Sequence, residues 1–177
     1  MTDEWMLPGA TKEPQTVGAQ WNPLGQTLID GVRIHEVRHV PKASGRLTEI
    51  YRRDWLTDSE LVDQVFQVVM LPGHIAAWHA HERTLDRLFV SEGSARIVLY
   101  DTRPDSPTRG TINQFLFGEH RPALVVIPAR VWHGVQNTGS TPVCVLNLVD
   151  SAYDYASPDH WRVPADSPHV PFTFPPA

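Results

Sequence analysis

Three histidines lie within eight residues of the stretch GHIAAWHAHERTLDRLFVSEG (73–93), which has a glycine at each end. The whole chain contains nine histidines, so this stretch is a concentration of imidazole groups. If the stretch is extended, side chains alternate between two faces, and His79 and His81 point the same way. Asp86 shares a face with Leu88 of the next apolar run and is expected to point inward. Two imidazoles and one carboxylate are suited to binding a metal ion or to moving a proton.

A further histidine comes from the distant stretch LVVIPARVWHGVQN (124–137). A proline and an arginine in it predict a bend, after which His133 and Asn137 lie on a new strand. In a closed barrel that strand can lie beside the one that carries the first histidines. Imidazole and carboxylate ligands suit Fe, Mn, Ni or Zn, and the sequence does not distinguish among these metals.

The elements that position these residues are predicted to be short β-strands. Sixteen prolines and eleven glycines interrupt the chain, which argues against long helices. Between them come runs rich in β-branched and aromatic residues, a pattern typical of an antiparallel sandwich or barrel. The runs are RIHEV, LTEIYR, QVFQVVML, DRLFV, ARIVLY, INQFLF, ALVVI and VCVLNLV. The segment TDSELVDQ (57–64) fits either one helical turn or a loop. The prediction is an all-β fold.

Three parts are predicted along the chain. Residues 1–27 are polar, contain three prolines and are expected to form an irregular N-terminal arm. Residues 28–155 contain the strand-like runs and are expected to form the barrel. Residues 156–177 contain six prolines, so this tail is expected to lie extended and to pack on the barrel.

Composition argues against several classes of partner. The net charge is −5 and there is no basic block, so no nucleic-acid partner is expected. No run approaches the roughly 18 apolar residues of a membrane span. The first residues are acidic where a signal peptide needs positive charge. The single cysteine, Cys144, fits a reducing compartment. These features predict a cytoplasmic protein with no membrane partner.

The two histidine-containing stretches resemble the two motifs of the cupin superfamily. The first motif is a glycine, five residues, His-x-His, three or four residues, an acid, six residues and a glycine. It corresponds here to Gly73, His79, His81, Asp86 and Gly93. The second motif, Pro-x-Gly-x-x-His-x-x-x-Asn, corresponds to residues 128–137, with Arg130 in place of its glycine. The resemblance implies a cupin double-stranded β-helix, which is a jelly-roll barrel.

A longer resemblance, over residues 28–174, is to the dTDP-4-dehydrorhamnose 3,5-epimerase group. It is carried by the cupin motifs together with GRLTEIYRRDW (45–55) and DYASPDHWRVPADSPHVPF (154–172). Members of that group remove a proton beside a sugar ketone with a histidine that is paired to an aspartate. A tyrosine delivers a proton from the opposite side. The resemblance therefore implies an isomerase or epimerase of carbohydrates.

Transferred residue by residue, the resemblance assigns a role to four positions. His79 falls on the base of the family and Asp166 on its partner aspartate. His133 matches the histidine of a Pro-Pro-Gly-x-x-His stretch, and Glu49 matches an early glutamate. A histidine base suits this chemistry because its pKa lies near neutrality and a carboxylate partner can fix its tautomer.

Three positions depart from the family pattern. Asn147 occupies the place of the catalytic tyrosine, and an amide cannot donate a proton as an acid. Asp86 occupies the place of a substrate-binding lysine, and Ala76 that of an arginine. The catalytic residues implied by the resemblance are His79, Asp166 and Asn147. Tyr153 and Tyr155 are further candidates for the mouth of the barrel.

Three functions are compatible with these features. The first is a carbohydrate isomerase or epimerase that transfers a proton next to a carbonyl, with a metal assisting, on a sugar or nucleotide sugar. The second is a metal-dependent dioxygenase or lyase with a different small-molecule substrate. The third is a non-catalytic small-ligand binder. For each of them a homodimer is expected, with the N-terminal arm exchanged between subunits.

His79 cannot be a metal ligand and a free base at the same time, because each role uses the same lone pair. Histidines and a carboxylate packed together without a cation would have to share protons, with coupled and shifted pKa values. A divalent cation at the centre satisfies them all. The sequence therefore favours one divalent metal bound by His79, His81, Asp86 and His133, with Asp166 facing the substrate.

Overall fold

The computed structural model describes residues 5–19, 24–55 and 61–176, and within these ranges the chain forms twelve β-strands and one 3-10 turn, Arg53–Trp55. The strands are β1 Arg33–Glu36, β2 His39–Lys42, β3 Gly45–Thr48, β4 Gln64–Met70, β5 Ile75–Ala80, β6 Asp86–Glu92, β7 Ser94–Asp101, β8 Ile112–Gly118, β9 Ala123–Ile127, β10 Val131–Asn137, β11 Val143–Val149 and β12 Trp161–Arg162. The all-β prediction is confirmed. Half of the segment 57–64, residues 57–60, lies outside the described residues; residues 61–63 form neither helix nor strand, and Gln64 begins β4.

The strands form two five-stranded sheets and one hairpin. The first sheet has the order β1-β9-β6-β11-β4, and the second has the order β12-β5-β10-β7-β8. Strands β2 and β3 form the hairpin. All the pairings are antiparallel. Successive strands such as β5, β6 and β7 alternate between the sheets, as a jelly-roll barrel requires.

The main core lies between the inner faces of the two sheets. Leu88 and Val90 of β6 point into it from one sheet, and Ile97 and Leu99 of β7 from the other. These residues alternate along their strands, so one face of each strand is buried. Asp86 belongs to the same inward-facing set as Leu88, and it lies at the end of the core where β6 begins.

The proline-rich tail packs against the outer face of the second sheet. Trp78 of β5 is fully buried there, and its neighbours include Val170, Phe172 and Phe174 of the tail. The indole N–H of Trp78 donates a hydrogen bond to the carbonyl oxygen of Ala165 at 3.3 Å. The short strand β12 extends the same sheet by pairing with β5. The tail is thus an additional layer over the strand that carries the histidines.

The strand predicted for residues 47–52 is wrong for all but its first two residues. The pattern of the run LTEIYR (47–52) predicts an extended segment, but β3 ends at Thr48. The reason is that Ile50 and Tyr51 pack against the outer face of the first sheet, around Phe89, instead of pairing with a neighbouring strand. In the described ranges no helix is long and apolar enough to cross a membrane.

Candidate active site

The histidines meet where β5 and β10 pair. His133 of β10 lies opposite His79 of β5 in the antiparallel register, and their ring centroids are 6.0 Å apart. His81 is the first residue after β5, and Asp86 is the first residue of β6 in the other sheet. The connecting loop is short, so the two strands bring their polar residues to the same end of the barrel.

His81, Asp86 and His133 form a compact set of metal-binding donors. Nε2 of His81 is 3.2 Å from Oδ2 of Asp86, and Nε2 of His133 is 3.5 Å from the same oxygen. One donor atom from each residue lies within 4.8 Å of the other two. Asp86 is 2% exposed, so its carboxylate is directed at the two imidazoles and not at solvent. Two imidazoles and one carboxylate at this separation fit a divalent transition metal.

Asn147 holds the carboxylate of this set in place. Its Nδ2 donates to Oδ1 of Asp86 at 2.7 Å, and its Oδ1 accepts from the backbone N–H of Arg87 at 3.2 Å. Both ends of the amide are therefore occupied, and Oδ2 of Asp86 is left for the histidines. In this structure the residue predicted to replace the family's tyrosine orients Asp86.

The charges within the set favour an ionised carboxylate. Burial by itself raises the pKa of Asp86, but the hydrogen bond from His81 and the positive charges of His133 and His81 outweigh it, so the pKa lies below its usual range. The same pairing raises the pKa of His81 in spite of burial. Burial and the charge of His81 lower the pKa of His133, although Asp86 opposes them. An anionic centre between imidazoles suits a cation.

His79 lies beside this set but is not part of it. Its Nδ1 is 2.8 Å from Nε2 of His160, a residue of the tail, and 3.3 Å from Nε of Arg162. Burial, followed by the charges of His133, Arg162 and His160, lowers the pKa of His79 to about 3. The ring is therefore neutral at neutral pH. The structure brings together three of the four predicted metal ligands and leaves His79 in a separate pair with His160.

Asp166 does not contact His79. It is exposed, within the turn that is closed by the hydrogen bond from Ser167 N–H to Pro164 O (3.0 Å). That turn is attached to Trp78 through Ala165, and consecutive residues of β5 face opposite sides of the sheet. Asp166 therefore lies on the outer side, whereas His79 lines the cavity inside. The predicted hydrogen bond between them is wrong, and His160 takes that position.

A cavity of about 770 Å³ opens over the histidines. Its wall includes all four imidazoles of the cluster, and Tyr153 and Tyr155 lie at its mouth, as expected from the sequence. Two arginines, Arg83 and Arg162, also line it. The volume is within the usual range for small-molecule sites, roughly 300–1,000 Å³. Glu49 is not among the lining residues and instead pairs with Arg52 on the surface.

Sequence reasoning missed the contribution of the tail to the site. His160 and Arg162 flank His79, and Asp159 contacts the loop after His81. All three belong to the segment 154–172 that carries the longer resemblance, which was the available signal. Their contacts join residues that are 75 to 83 positions apart in the chain, so no local spacing relates them to the cupin motifs.

Comparison with known proteins places this architecture in a family. Residues 42–161, more than half of the chain, match the model of the polysaccharide biosynthesis C-terminal domain. The chain belongs to that family. A probable low-salt glycan biosynthesis epimerase, Agl13, of Haloferax volcanii is 32% identical over 139 residues, which are 78% of this chain and 89% of the relative.

Solved structures of sugar-nucleotide enzymes share the fold. A dTDP sugar isomerase from Desulfovibrio desulfuricans G20 matches with a TM-score of 0.76 and 31% identity, over 82% of this chain and 91% of the other. A dTDP-4-dehydrorhamnose 3,5-epimerase from Bacillus anthracis, with TDP and PPi bound, matches with a TM-score of 0.74 and 19% identity, over 85% and 90% of the two chains. The predicted membership of the epimerase-like cupins is confirmed. Of the three compatible functions, the comparisons favour the carbohydrate epimerase or isomerase.

Proposed function

We propose that this protein is a nucleotide-sugar epimerase or isomerase that transfers a proton at the carbon next to a sugar carbonyl. The observation that carries the proposal is the separation of two groups in one cavity: a neutral histidine pair, His79 and His160, and a donor set suited to a metal, His81, Asp86 and His133. Proton abstraction beside a carbonyl needs a base for the proton and an electrophile for the developing oxyanion.

His79 is the proposed base. In the tautomer that serves this role, Nδ1–H of His79 donates to Nε2 of His160 across 2.8 Å, and Nε–H of Arg162 donates to the same Nε2 at 3.4 Å instead of to His79. The lone pair of the other nitrogen, Nε2, is then available for a substrate proton. His160 thus replaces the aspartate of the family pattern as the residue that orients the base.

The proposed metal ligands are His81, Asp86 and His133. His79, the fourth ligand predicted from the sequence, is not one of them. A divalent ion such as Fe, Mn, Ni or Zn would supply Lewis-acid polarisation of a carbonyl or hydroxyl oxygen. The chain's own contribution is to hold three donors around one point, with Asp86 oriented by Asn147. This arrangement compensates for the absence of a tyrosine acid at position 147.

Two arginine side chains of the cavity wall support a nucleotide sugar as the substrate. Arg83 and Arg162 line the cavity, and guanidinium groups bind phosphate oxygens in bidentate geometry. Tyr153 and Tyr155 lie in edge-to-face contact at the mouth, with ring centroids 5.3 Å apart, and can pack against a nucleoside. The Bacillus anthracis epimerase has TDP bound. A thymidine nucleotide of this kind has phosphate groups for the two arginines and a nucleoside for the two tyrosines.

Solvent deuterium incorporation tests this function. Metal-loaded protein in D₂O is expected to introduce deuterium at a carbon adjacent to the carbonyl of a dTDP-4-keto-6-deoxy sugar, detected by mass spectrometry and NMR. Exchange is the appropriate readout because it reports proton abstraction even when the product equilibrium is unfavourable. Absence of exchange across a panel of dTDP and UDP 4-keto sugars, with metal bound, would reject the proposal.

We also propose that the protein is a homodimer that pairs through β4. This strand is an edge of the first sheet within the described residues, and an unpaired edge is a template for a second chain. Two of its three outward-facing residues are apolar: Val65 is 57% exposed and Val69 is 58% exposed, with Gln67 between them on the same face. The residue that follows the strand, Leu71, is 58% exposed.

Val69→Lys is expected to convert the dimer into a monomer in sedimentation velocity, because a lysine at the interface would have to be desolvated. Val40→Lys changes another exposed valine, which is 45% exposed on the β2–β3 hairpin; it is the matched control and is expected to stay dimeric. Deletion of residues 1–27 tests the arm and is expected to weaken the dimer. A wild-type monomer, or a dimer unaffected by Val69→Lys, would contradict pairing through β4.

A further inference from the structure

The tail residue Asp159 is bound to the loop between β5 and β6. Its Oδ1 accepts from the backbone N–H of Glu82 at 2.7 Å. Its Oδ2 accepts from the backbone N–H groups of Arg83 at 2.9 Å and Thr84 at 3.0 Å, and from the hydroxyl of Thr84 at 3.1 Å. Its carbonyl oxygen is hydrogen-bonded to Nδ1 of His81. One residue therefore contacts four consecutive residues of the loop.

This loop joins two of the three proposed metal ligands, since His81 precedes it and Asp86 follows it. Three successive backbone N–H groups of the loop point at one carboxylate. Hydrogen bonds from backbone N–H groups to an ionised carboxylate are among the stronger ones in proteins. The conformation of the loop is thus set by a residue that is distant in the sequence.

The contact with the carbonyl oxygen of Asp159 orients the ring of His81. A carbonyl oxygen only accepts, so Nδ1 of His81 is the donor in this hydrogen bond. The other nitrogen, Nε2, then faces Oδ2 of Asp86 at 3.2 Å, and it is the nitrogen that would bind the metal. A ligating histidine is usually fixed in this manner by an acceptor on its other nitrogen.

We propose that Asp159 is a positioning residue that fixes the conformation of this loop and the place of His81, and thereby makes the C-terminal tail part of the metal site. The effect on metal affinity rests on the proposed function. The effect on the loop does not, because the contacts of Asp159 are present in the metal-free protein.

The experiment compares Asp159→Ala and Asp159→Asn with the wild-type protein and with Asp63→Asn. Asp63 is the matched control, since its carboxylate accepts from the N–H of Ala152, a few residues before the tail, and does not touch the loop. Co²⁺ is titrated into each protein and followed by visible absorption. Hydrogen–deuterium exchange of the backbone N–H groups of Glu82, Arg83 and Thr84, which donate to the carboxylate of Asp159, is measured in the metal-free proteins.

Asp159→Ala is expected to weaken Co²⁺ binding roughly 10- to 100-fold, and Asp63→Asn to leave it unchanged. In the metal-free Asp159→Ala protein the backbone N–H groups of Glu82, Arg83 and Thr84 are expected to exchange faster than in the wild type and in Asp63→Asn, because they lose their acceptor. If that variant does not fold, Asp159→Asn and Thr84→Val, which each remove part of the contact, are expected to show smaller shifts in the same direction.

Wild-type amide exchange at Glu82, Arg83 and Thr84 in all the Asp159 variants, together with wild-type Co²⁺ affinity, would overturn the proposal. If even the wild-type protein binds no metal, the proposed metal site fails, and amide exchange in this loop still decides whether Asp159 positions it.

Discussion

Replacing His79 with glutamine is expected to lower the rate of deuterium incorporation into the substrate by roughly 10²- to 10⁴-fold, the usual contribution of a general base. Glutamine keeps a polar side chain of similar size next to His160 but has no basic lone pair. Because His79 lies outside the group formed by His81, Asp86 and His133, the bound metal is expected to remain. Exchange rates are compared by mass spectrometry at equal metal content.

Two tail variants are the controls for this prediction. They distinguish His160, the partner of His79 in the structure, from Asp166, the partner that the family pattern implies. His160→Gln removes the ring that contacts Nδ1 of His79, so exchange is expected to slow. Asp166→Asn changes an exposed residue on the outer side of the sheet, and wild-type exchange is expected. Slow exchange in Asp166→Asn together with normal exchange in His160→Gln would show that the assigned partner of the base is wrong.

Asp86→Ala is expected to abolish stoichiometric metal binding and to destabilise the protein. The change removes the one carboxylate of the donor set and leaves Nδ2 of Asn147 buried without its acceptor. An orphaned buried donor costs about 1–3 kcal/mol of unfolding free energy. Loss of a ligand that binds only the folded state adds to this, by about 2.7 kcal/mol at a metal concentration 100 times Kd. Metal content is measured by elemental analysis, and stability by urea unfolding.

Glu82→Ala is the control for Asp86→Ala, because Glu82 is an exposed acid in the adjoining loop with a distant ion pair to Arg130 at 3.9 Å. Its unfolding free energy is expected to change by no more than about 0.5 kcal/mol, as for most surface substitutions. A chelator is expected to lower the melting temperature of the wild type and of Glu82→Ala, but not that of Asp86→Ala. Stoichiometric metal in Asp86→Ala would contradict the assigned ligand set.

The strands of the barrel could be predicted because the residue types that indicate each strand lie within one short run of the sequence. Runs rich in β-branched and aromatic residues, with turn residues between them, predicted most of the strands from β4 to β11, and each of these strands contributes residues to the core. The run LTEIYR failed for a non-local reason: Ile50 and Tyr51 are buried by packing on a sheet, and composition alone does not separate that from pairing in one. Arg130 is a second case that composition alone does not predict. It keeps the left-handed backbone of the motif's glycine position, with a φ of 65°, although residues other than glycine rarely adopt a positive φ.

The site was predictable where it depends on strand geometry. His81, Asp86 and His133 come together because the motif spacing places them on β-strands that adjoin one end of the barrel. The partner of His79 was not predictable, because it comes from the tail. Which of Asp166 and His160 reaches the cavity depends on the packing of the turn around Asp166 against Trp78 and on the pairing of β12 with β5.

The measurement that tests the account most directly is the Co²⁺ content and visible spectrum of His79→Gln beside those of His81→Ala. If the base and the metal site are separate, His79→Gln retains one Co²⁺ per chain with the wild-type spectrum while deuterium exchange is lost, and His81→Ala loses the metal. Loss of Co²⁺ from His79→Gln, to the same extent as from His81→Ala, would show that His79 is a ligand and would contradict its assignment as the base.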